Sequence, residues 1–302
     1  MLLGIAIGDA FGAGYEFAYK TRAEYQQVDI SKYSANPNPN FRHEAGNYTD
    51  DTQMSIAIAE LLADDIPFTS KNLADYFLRA YKRDPRVGYA KGFQAFLDSI
   101  ETKEEFLAQI KPDSIRNGAA MRSVPLGIIP DLEAVVEYAK INAKLTHNTP
   151  KGISSSIIIA LISHCAIYKK NEIESSRRIF EEITDSEVLS YFSELAEMTT
   201  FNPALLFGEK NKDKGVPCDA MRTVGAVLYL FDFSYPKNIL LEAVKLGGDT
   251  DSVASITLGI KMINNDLDSL PAHLFDNLNN DKYGRDYLIA LGDRLATRFN
   301  LQ

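Results

Sequence analysis

Apolar side chains recur at helical spacing along most of the chain. After Thr52, the set Met54, Ile56, Ile58, Leu61 and Leu62 forms a stripe that Pro67 ends. A second stripe follows Ser70, which we expect to cap its helix. A third helix is predicted from near Asp131, and a fourth, apolar nearly all round and therefore central, over 153–169 with Pro150 in its first turn. Further helices are predicted at 172–183, 187–199, 218–232, 236–246, 250–264 and 285–299.

The same pattern argues against a β-rich fold. Apolar and polar residues do not alternate with period two over any long stretch, although short strands are an alternative around 25–33. The stretches 34–48 and 202–217 are polar loops, and neither separates regions of different composition. About ten helices are predicted, and no strands alternate with them. This pattern predicts one all-α domain over the whole chain, 1–302.

Composition narrows the function classes. The 302 residues are 45% hydrophobic, carry a net charge of −9 and lack basic runs, so we expect no nucleic-acid and no membrane partner. No apolar run reaches the roughly 18 residues that span a bilayer. The N-terminus lacks a basic region, and Asp9 interrupts its apolar stretch, which is unlike a signal peptide. Cys165 and Cys218 form no CxxC pair and are interpreted as core thiols, which fits a cytoplasmic location.

The stretch Gly247–Ser252 is the first candidate for chemistry. Two glycines turn the chain into Asp249, Thr250, Asp251 and Ser252, and an apolar helix follows at once. Such a stretch fits either an acidic helix cap or a site for a hard cation, because a cap alone needs a single Asp or Ser.

A second stretch, Thr49–Thr52, has the same architecture. Its Asp50 and Asp51 point about 100° apart in a regular helix and converge only at a loop–helix junction. Asp51 and Asp251 lie 200 residues apart, and if the fold joins the two stretches, four carboxylates meet in one pocket. Two divalent cations would cancel that charge. All-oxygen ligands favour Mg²⁺, Mn²⁺ or Ca²⁺; the alternative is two over-capped helix starts.

With these two stretches, five segments in order resemble the ADP-ribosylglycohydrolase family. They are Gly4–Ala13 leading to Glu16, Tyr48–Thr52, Arg116–Arg122 followed by Pro125–Gly127, Leu145–His147, and Gly247–Ser252. The resemblance covers nearly the whole chain. It implies a single-domain, orthogonal multi-helix bundle with a central dinuclear centre of two Mg²⁺ or Mn²⁺ ions. It also implies hydrolysis of the glycosidic bond at C1″ of an ADP-ribosyl group on a protein side chain or a small acceptor.

The resemblance also assigns roles, residue by residue. The implied metal ligands are Thr49, Asp50, Asp51, Asp249, Asp251 and Ser252, and Glu16 matches a mobile glutamate over the metals. We expect Glu16, Asp50, Asp51 and Asp251 to be catalytic. The implied substrate contacts are Ser114, Ile115, Arg116, Asn117, Gly118 and His147. Asp9 and Arg122 are expected to support the site structurally.

Several alternatives stay open at this point. An isoprenoid synthase also uses two acidic clusters, but it needs Asp-Asp-x-x-Asp, and Met54 occupies the last position here. A non-catalytic, ADP-ribose-binding member of the family is the second alternative. Ile115 and Arg116 stand where some relatives have an aromatic residue and a glycine, so the adenosine contact differs. The acceptor (arginine, serine, an O-acetyl ester, a nucleobase or another small molecule) is open, and the loop 34–47 is expected to select it.

Overall fold

The computed structural model describes residues 1–41, 43–168 and 200–301. Its α-helices, in chain order, are α1 Leu2–Ala13, α2 Asp50–Ala63, α3 Ser70–Arg83, α4 Lys91–Ser99, α5 Lys103–Gln109, α6 Gly118–Met121, α7 Leu132–Thr146, α8 Pro150–Tyr168, α9 Pro203–Leu206, α10 Ala220–Phe231, α11 Pro236–Leu246, α12 Thr250–Lys261, α13 Ala272–Asp276 and α14 Arg285–Arg298. Within these described ranges the only β pairing is three isolated bridges. The all-α prediction is therefore confirmed, and 25–33 contains no strand.

Most predicted helices are found within a few residues of their expected ends, with three differences. The side chain that caps α3 belongs to Thr69, which accepts the Asn72 N–H, and not to Ser70. Helices α4 and α5 had not been predicted; each buries a single side chain, Leu97 and Phe106 respectively, so no apolar stripe marks them. The predicted helices at 172–183 and 187–199 lie outside the described residues.

Helix α8 lies at the centre of the fold. It buries most of its side chains and packs against α7, α10 and α12. By length and composition alone it could cross a membrane, contrary to the expectation that no stretch would qualify, but 78% of its most apolar window is buried inside the protein. A buried core helix passes the same test, so α8 is explained by its place in the core.

Helices α1 and α12 pack unusually closely, and three glycines allow it. Gly4, Gly8 and Gly12 recur every fourth residue and face α12. A Cβ atom added at Gly8 would lie 2.4 Å from the carbonyl oxygen of Ala254, and one at Gly12 would lie 2.5 Å from the Cα of Asp251. This contact brings the end of α1 beside the start of α12, and the acidic stretches meet there.

Candidate functional site

The start of α2 is capped from another helix. Asp9 of α1 accepts the backbone N–H groups of Thr49 (2.9 Å) and Thr52 (3.0 Å), together with both threonine hydroxyls. These amides are among the donors that the first turn of a helix leaves unpaired. Because Asp9 satisfies them, these two amides need no acceptor from Asp50 or Asp51, the acidic residues of the first turn. Capping the start of α2 is thus the way in which Asp9 supports the site.

The start of α12 is shaped by Gly247 and Gly248. Both have positive φ (70° and 79°), and a Cβ on Gly248 would lie 2.1 Å from the carbonyl oxygen of Val216. The turn is held by hydrogen bonds from Val216 N–H to Gly247 and from Asp249 N–H to Val216. Asp249 occupies the N-cap position without any side-chain cap bond. The acidic-cap interpretation of Asp249 therefore does not hold.

Three carboxylates converge where the helices meet. One oxygen each from Glu16, Asp249 and Asp251 lies within 4.8 Å of the other two, and all three side chains are buried. Asp51 lies beside this group: it accepts a hydrogen bond from Ser255 of α12 (3.1 Å) and another from Ser252. The two acidic stretches, far apart in sequence, thus form one cluster.

Burial and mutual repulsion disfavour the charged forms of these groups. Desolvation, then the negative charges of Asp50, Asp9 and Asp249, raise the pKa of Asp51 well above its usual value. Desolvation, then the charges of Glu16, Asp249 and Asp51, do the same to the pKa of Asp251. A bound cation is the simplest neutralising partner for such a cluster.

The donor set fits a hard divalent cation. The described residues around the cluster offer carboxylate and hydroxyl oxygens, which suit Mg²⁺ or Mn²⁺ better than the softer metals. Asp50 lies on the side of the cluster nearest residues 86–89: its N–H donates to the Val87 carbonyl, and a Cβ on Gly88 (φ 109°) would lie 2.0 Å from its Oδ1. Gly88 therefore leaves the space that the Asp50 carboxylate occupies.

The loop 114–118 reaches the cluster through Asn117. Its side-chain amide donates to Asp249 Oδ2 (2.6 Å) and to the hydroxyl of Thr223 on α10 (3.0 Å). Both amide protons are therefore used inside the protein. Ile115 and Arg116 are exposed, and the Ser114 hydroxyl accepts the Arg116 N–H. Of this loop, the structure brings the Asn117 side chain into the acidic cluster.

His147 lies against the same loop as a neutral ring. A Cβ on Gly118 would meet its Cε1 at 2.8 Å, so the glycine allows direct contact with the imidazole. Its Nδ1 is hydrogen-bonded to the Thr146 hydroxyl (2.7 Å), which also accepts from buried Arg122. Burial, then the positive charge of Arg122, lowers the pKa of His147 to about 3. His147 can therefore donate or accept a hydrogen bond but carries no charge at neutral pH.

Two side chains behave differently from their interpretation in the sequence. Cys218, interpreted as a core thiol, is half-buried and hydrogen-bonds Asp249 at the edge of the cluster. Tyr89, which the sequence left as either an acceptor contact or a packing residue, is buried and donates its hydroxyl proton to Gln53 (2.7 Å). The regular spacing of Gly4, Gly8 and Gly12 was the one sequence signal of the helix contact that assembles the site, and it had not been used.

Comparison with known proteins identifies the family of the chain. The profile of the ADP-ribosylglycohydrolase family matches residues 1–302. The chain belongs to this family. It is similar to the ADP-ribosylhydrolase ARH3 of Xenopus tropicalis, 26% identical over 297 residues that cover 86% of this chain and 84% of that protein. The human ARH3 is likewise 26% identical, over 316 residues that cover 89% of this chain and 85% of the relative.

A solved structure shows the same family fold. A chain described as an ADP-ribosylglycohydrolase-related protein complex superimposes with a TM-score of 0.70 at 21% identity, covering 99% of this chain and 95% of that one. The resemblance inferred from the five segments is thus confirmed.

Proposed function

We propose that the protein is a metal-dependent hydrolase that cleaves the glycosidic bond at C1″ of ADP-ribosyl groups and releases ADP-ribose. The observation that carries the proposal is the buried meeting of Glu16, Asp249 and Asp251 beside Asp51. Family membership and the ARH3 relatives support the substrate class. The ADP-ribosyl group would be carried by a protein side chain or a small acceptor. The cytoplasmic location stays a prediction from composition.

The residues that would hold the metal are those predicted from the sequence: Thr49, Asp50, Asp51, Asp249, Asp251 and Ser252. Bound Mg²⁺ or Mn²⁺ would supply Lewis-acid polarisation and offset the crowded negative charge. Two ions remain our expectation, because four aspartates carry four charges. The Thr49 hydroxyl already donates its proton to Asp9, so its oxygen is oriented with lone pairs toward other partners.

The net reaction is a hydrolysis. The bond between C1″ and the acceptor breaks, a water hydroxyl bonds to C1″, and the water proton passes to the acceptor. Carboxylates stabilise the oxocarbenium-like transition state of such cleavages and can take the water proton. Burial, then the charges of Asp249 and Asp50, raise the pKa of Glu16 well above its usual value, which strengthens the carboxylate as a base for the water proton.

The substrate would lie between the acidic cluster and the loop 114–118. We assign the diphosphate and adenosine to Ser114, Ile115, Arg116 and Gly118, with neutral His147 behind the loop. Exposed Arg116 offers a positive charge for phosphate, and exposed Ile115 an apolar surface for adenine. In our proposal Asn117 contributes its backbone to this loop, because its side chain is hydrogen-bonded to Asp249 and Thr223.

Release of ADP-ribose from a panel of linkages tests the proposal. Arginine-, serine- and O-acetyl-linked ADP-ribose are incubated with protein and Mg²⁺, Mn²⁺ or chelator, and free ADP-ribose is followed. We expect metal-dependent release from at least one linkage and its loss in Glu16→Gln and Asp251→Asn. Glu133→Gln, a change at an exposed site on α7, serves as the control. Activity that survives chelation would refute the metal role, and binding without release would support the non-catalytic alternative.

A further inference from the structure

The loop after α1 contains the asparagine–proline repeat Asn36–Asn40, and its side chains bind the segment that carries Glu16. The side-chain amide of Asn36 donates to the carbonyl oxygens of Ala13 (2.9 Å) and Glu16 (2.8 Å). Asn38 donates to the carbonyl oxygen of Phe17 (2.9 Å). The side chains of Asn36 and Asn38 thus bind three backbone carbonyl groups of the segment 13–17, one of them that of Glu16 itself.

The segment 13–17 needs such partners. Ala13 is the last residue of α1, where carbonyl groups lack a helical donor. Phe17 has a φ of 43°, a left-handed conformation that a bulky residue adopts only when its surroundings hold it there. Its N–H donates to the Gly248 carbonyl (2.8 Å), which ties the segment to the turn that carries Asp249. The backbone around Glu16 is therefore fixed from two sides.

The repeat itself is rigid. The Asn38 N–H donates to the side-chain oxygen of Asn36 (2.8 Å), and the Asn40 N–H donates to that of Asn38 (3.1 Å). Pro37 and Pro39 fix φ between these residues. Both asparagine side chains are thus oriented by local bonds before they meet the Glu16 segment, which lowers the entropy lost when they bind it.

We propose that Asn36 and Asn38 are positioning residues for Glu16. They hold the backbone of 13–17 so that the Glu16 carboxylate lies with Asp249 and Asp251. The inference rests on the proposed function for its catalytic meaning. The hydrogen bonds that tie 36–38 to 13–17 do not depend on the proposed function.

Asn36→Asp is the sharpest variant. It keeps the shape of the side chain and the oxygen that accepts the Asn38 N–H, but it replaces the donor by an oxygen facing two carbonyl groups. Asn36→Ala is the second variant if Asn36→Asp does not fold. Asn40→Ala is the matched control, because Asn40 lies in the same repeat, is exposed and bonds only to Asn38 in the described structure.

Two measurements are made on the full chain. Amide hydrogen exchange of residues 14–18 is expected to speed up about tenfold in Asn36→Asp and to stay unchanged in Asn40→Ala. Mn²⁺ titration is expected to show affinity weakened about tenfold, toward that of Glu16→Gln. In the Glu16→Gln background, Asn36→Asp should weaken Mn²⁺ binding no further, because its effect acts through Glu16.

Unchanged exchange at 14–18 would overturn the proposal. So would a loss of Mn²⁺ affinity that is equal in both backgrounds, since that result would mean a general structural role. If the wild-type protein binds no Mn²⁺, the proposed metal site fails, while the exchange measurement still decides whether Asn36 tethers this segment.

Discussion

Replacing Asn117 with alanine removes two hydrogen bonds at the centre of the site. One is charge-assisted, from the amide to Asp249 Oδ2 at 2.6 Å, and one is neutral, to the Thr223 hydroxyl at 3.0 Å. A hydrogen bond to a charged group contributes about 1.5–3 kcal/mol and a neutral one about 0.5–1.5 kcal/mol. We therefore expect the metal-free protein to lose about 2–4.5 kcal/mol of unfolding free energy.

Thr223→Val provides the internal comparison, because it removes only the neutral bond and leaves Asp249 with its amide donor. Its expected loss is about 1 kcal/mol. Both variants are unfolded in urea with chelator present, since bound metal would add its own stabilisation. Equal losses in the two variants would refute the claim that the bond to Asp249 dominates.

The same variant separates a metal-supporting role from a substrate-contacting role. The Asn117 donor lowers the pKa of Asp249, which burial otherwise raises. Without this donor the carboxylate binds a proton more tightly, so Mn²⁺ affinity at pH 6 should fall about tenfold. If the Asn117 side chain instead contacted ADP-ribose, KM would rise while Mn²⁺ affinity stayed the same.

Three further predictions concern other parts of the site. Gly88→Ala places a Cβ 2.0 Å from Asp50 Oδ1, so it should lower Mn²⁺ affinity in titrations, whereas Gly92→Ala, where a Cβ meets nothing within 4 Å, should not. His147, with its pKa lowered to about 3, should keep constant imidazole NMR shifts between about pH 5 and 8; a titration there would contradict its burial. Burial, then the charges of Asp50, Asp9 and Asp249, raise the pKa of Asp51, so the folded metal-free protein binds more protons than the unfolded chain; its stability in urea should therefore fall as the pH rises above about 4, the ordinary carboxyl pKa, and fall less in Asp51→Asn.

The sequence was most informative where chemistry and periodicity coincide. Asp50, Asp51, Asp249 and Asp251 each stand at the start of an apolar helix, and both stretches are found where a helix begins. The stripe of α2 and the apolar run of α8 also predicted their burial. Charge predicted a neutralised site only on the condition that the fold joins the two stretches, because four carboxylates in separate helix caps need no counter-ion.

What the sequence could not supply is the identity of distant partners. Asp9 caps α2 from 40 positions away, and Asn117 meets Asp249 from 132 positions away. Neither pair has a local spacing rule, because such contacts depend on how helices pack. Helices α4 and α5 were missed for the related reason that their exposed faces leave too few buried positions to set a period.

The close packing of α1 on α12 has a consequence for biosynthesis. Asp51 and its partner Ser255 are 204 positions apart, so the carboxylates of α2 leave the ribosome long before the helix that completes their surroundings. Contacts of such separation form late and slow folding. The nascent chain therefore cannot retain a metal through both acidic stretches until α12 has been synthesised and has docked on the glycine face of α1. The proposed metal would therefore be bound only after α1, α2 and α12 have packed together.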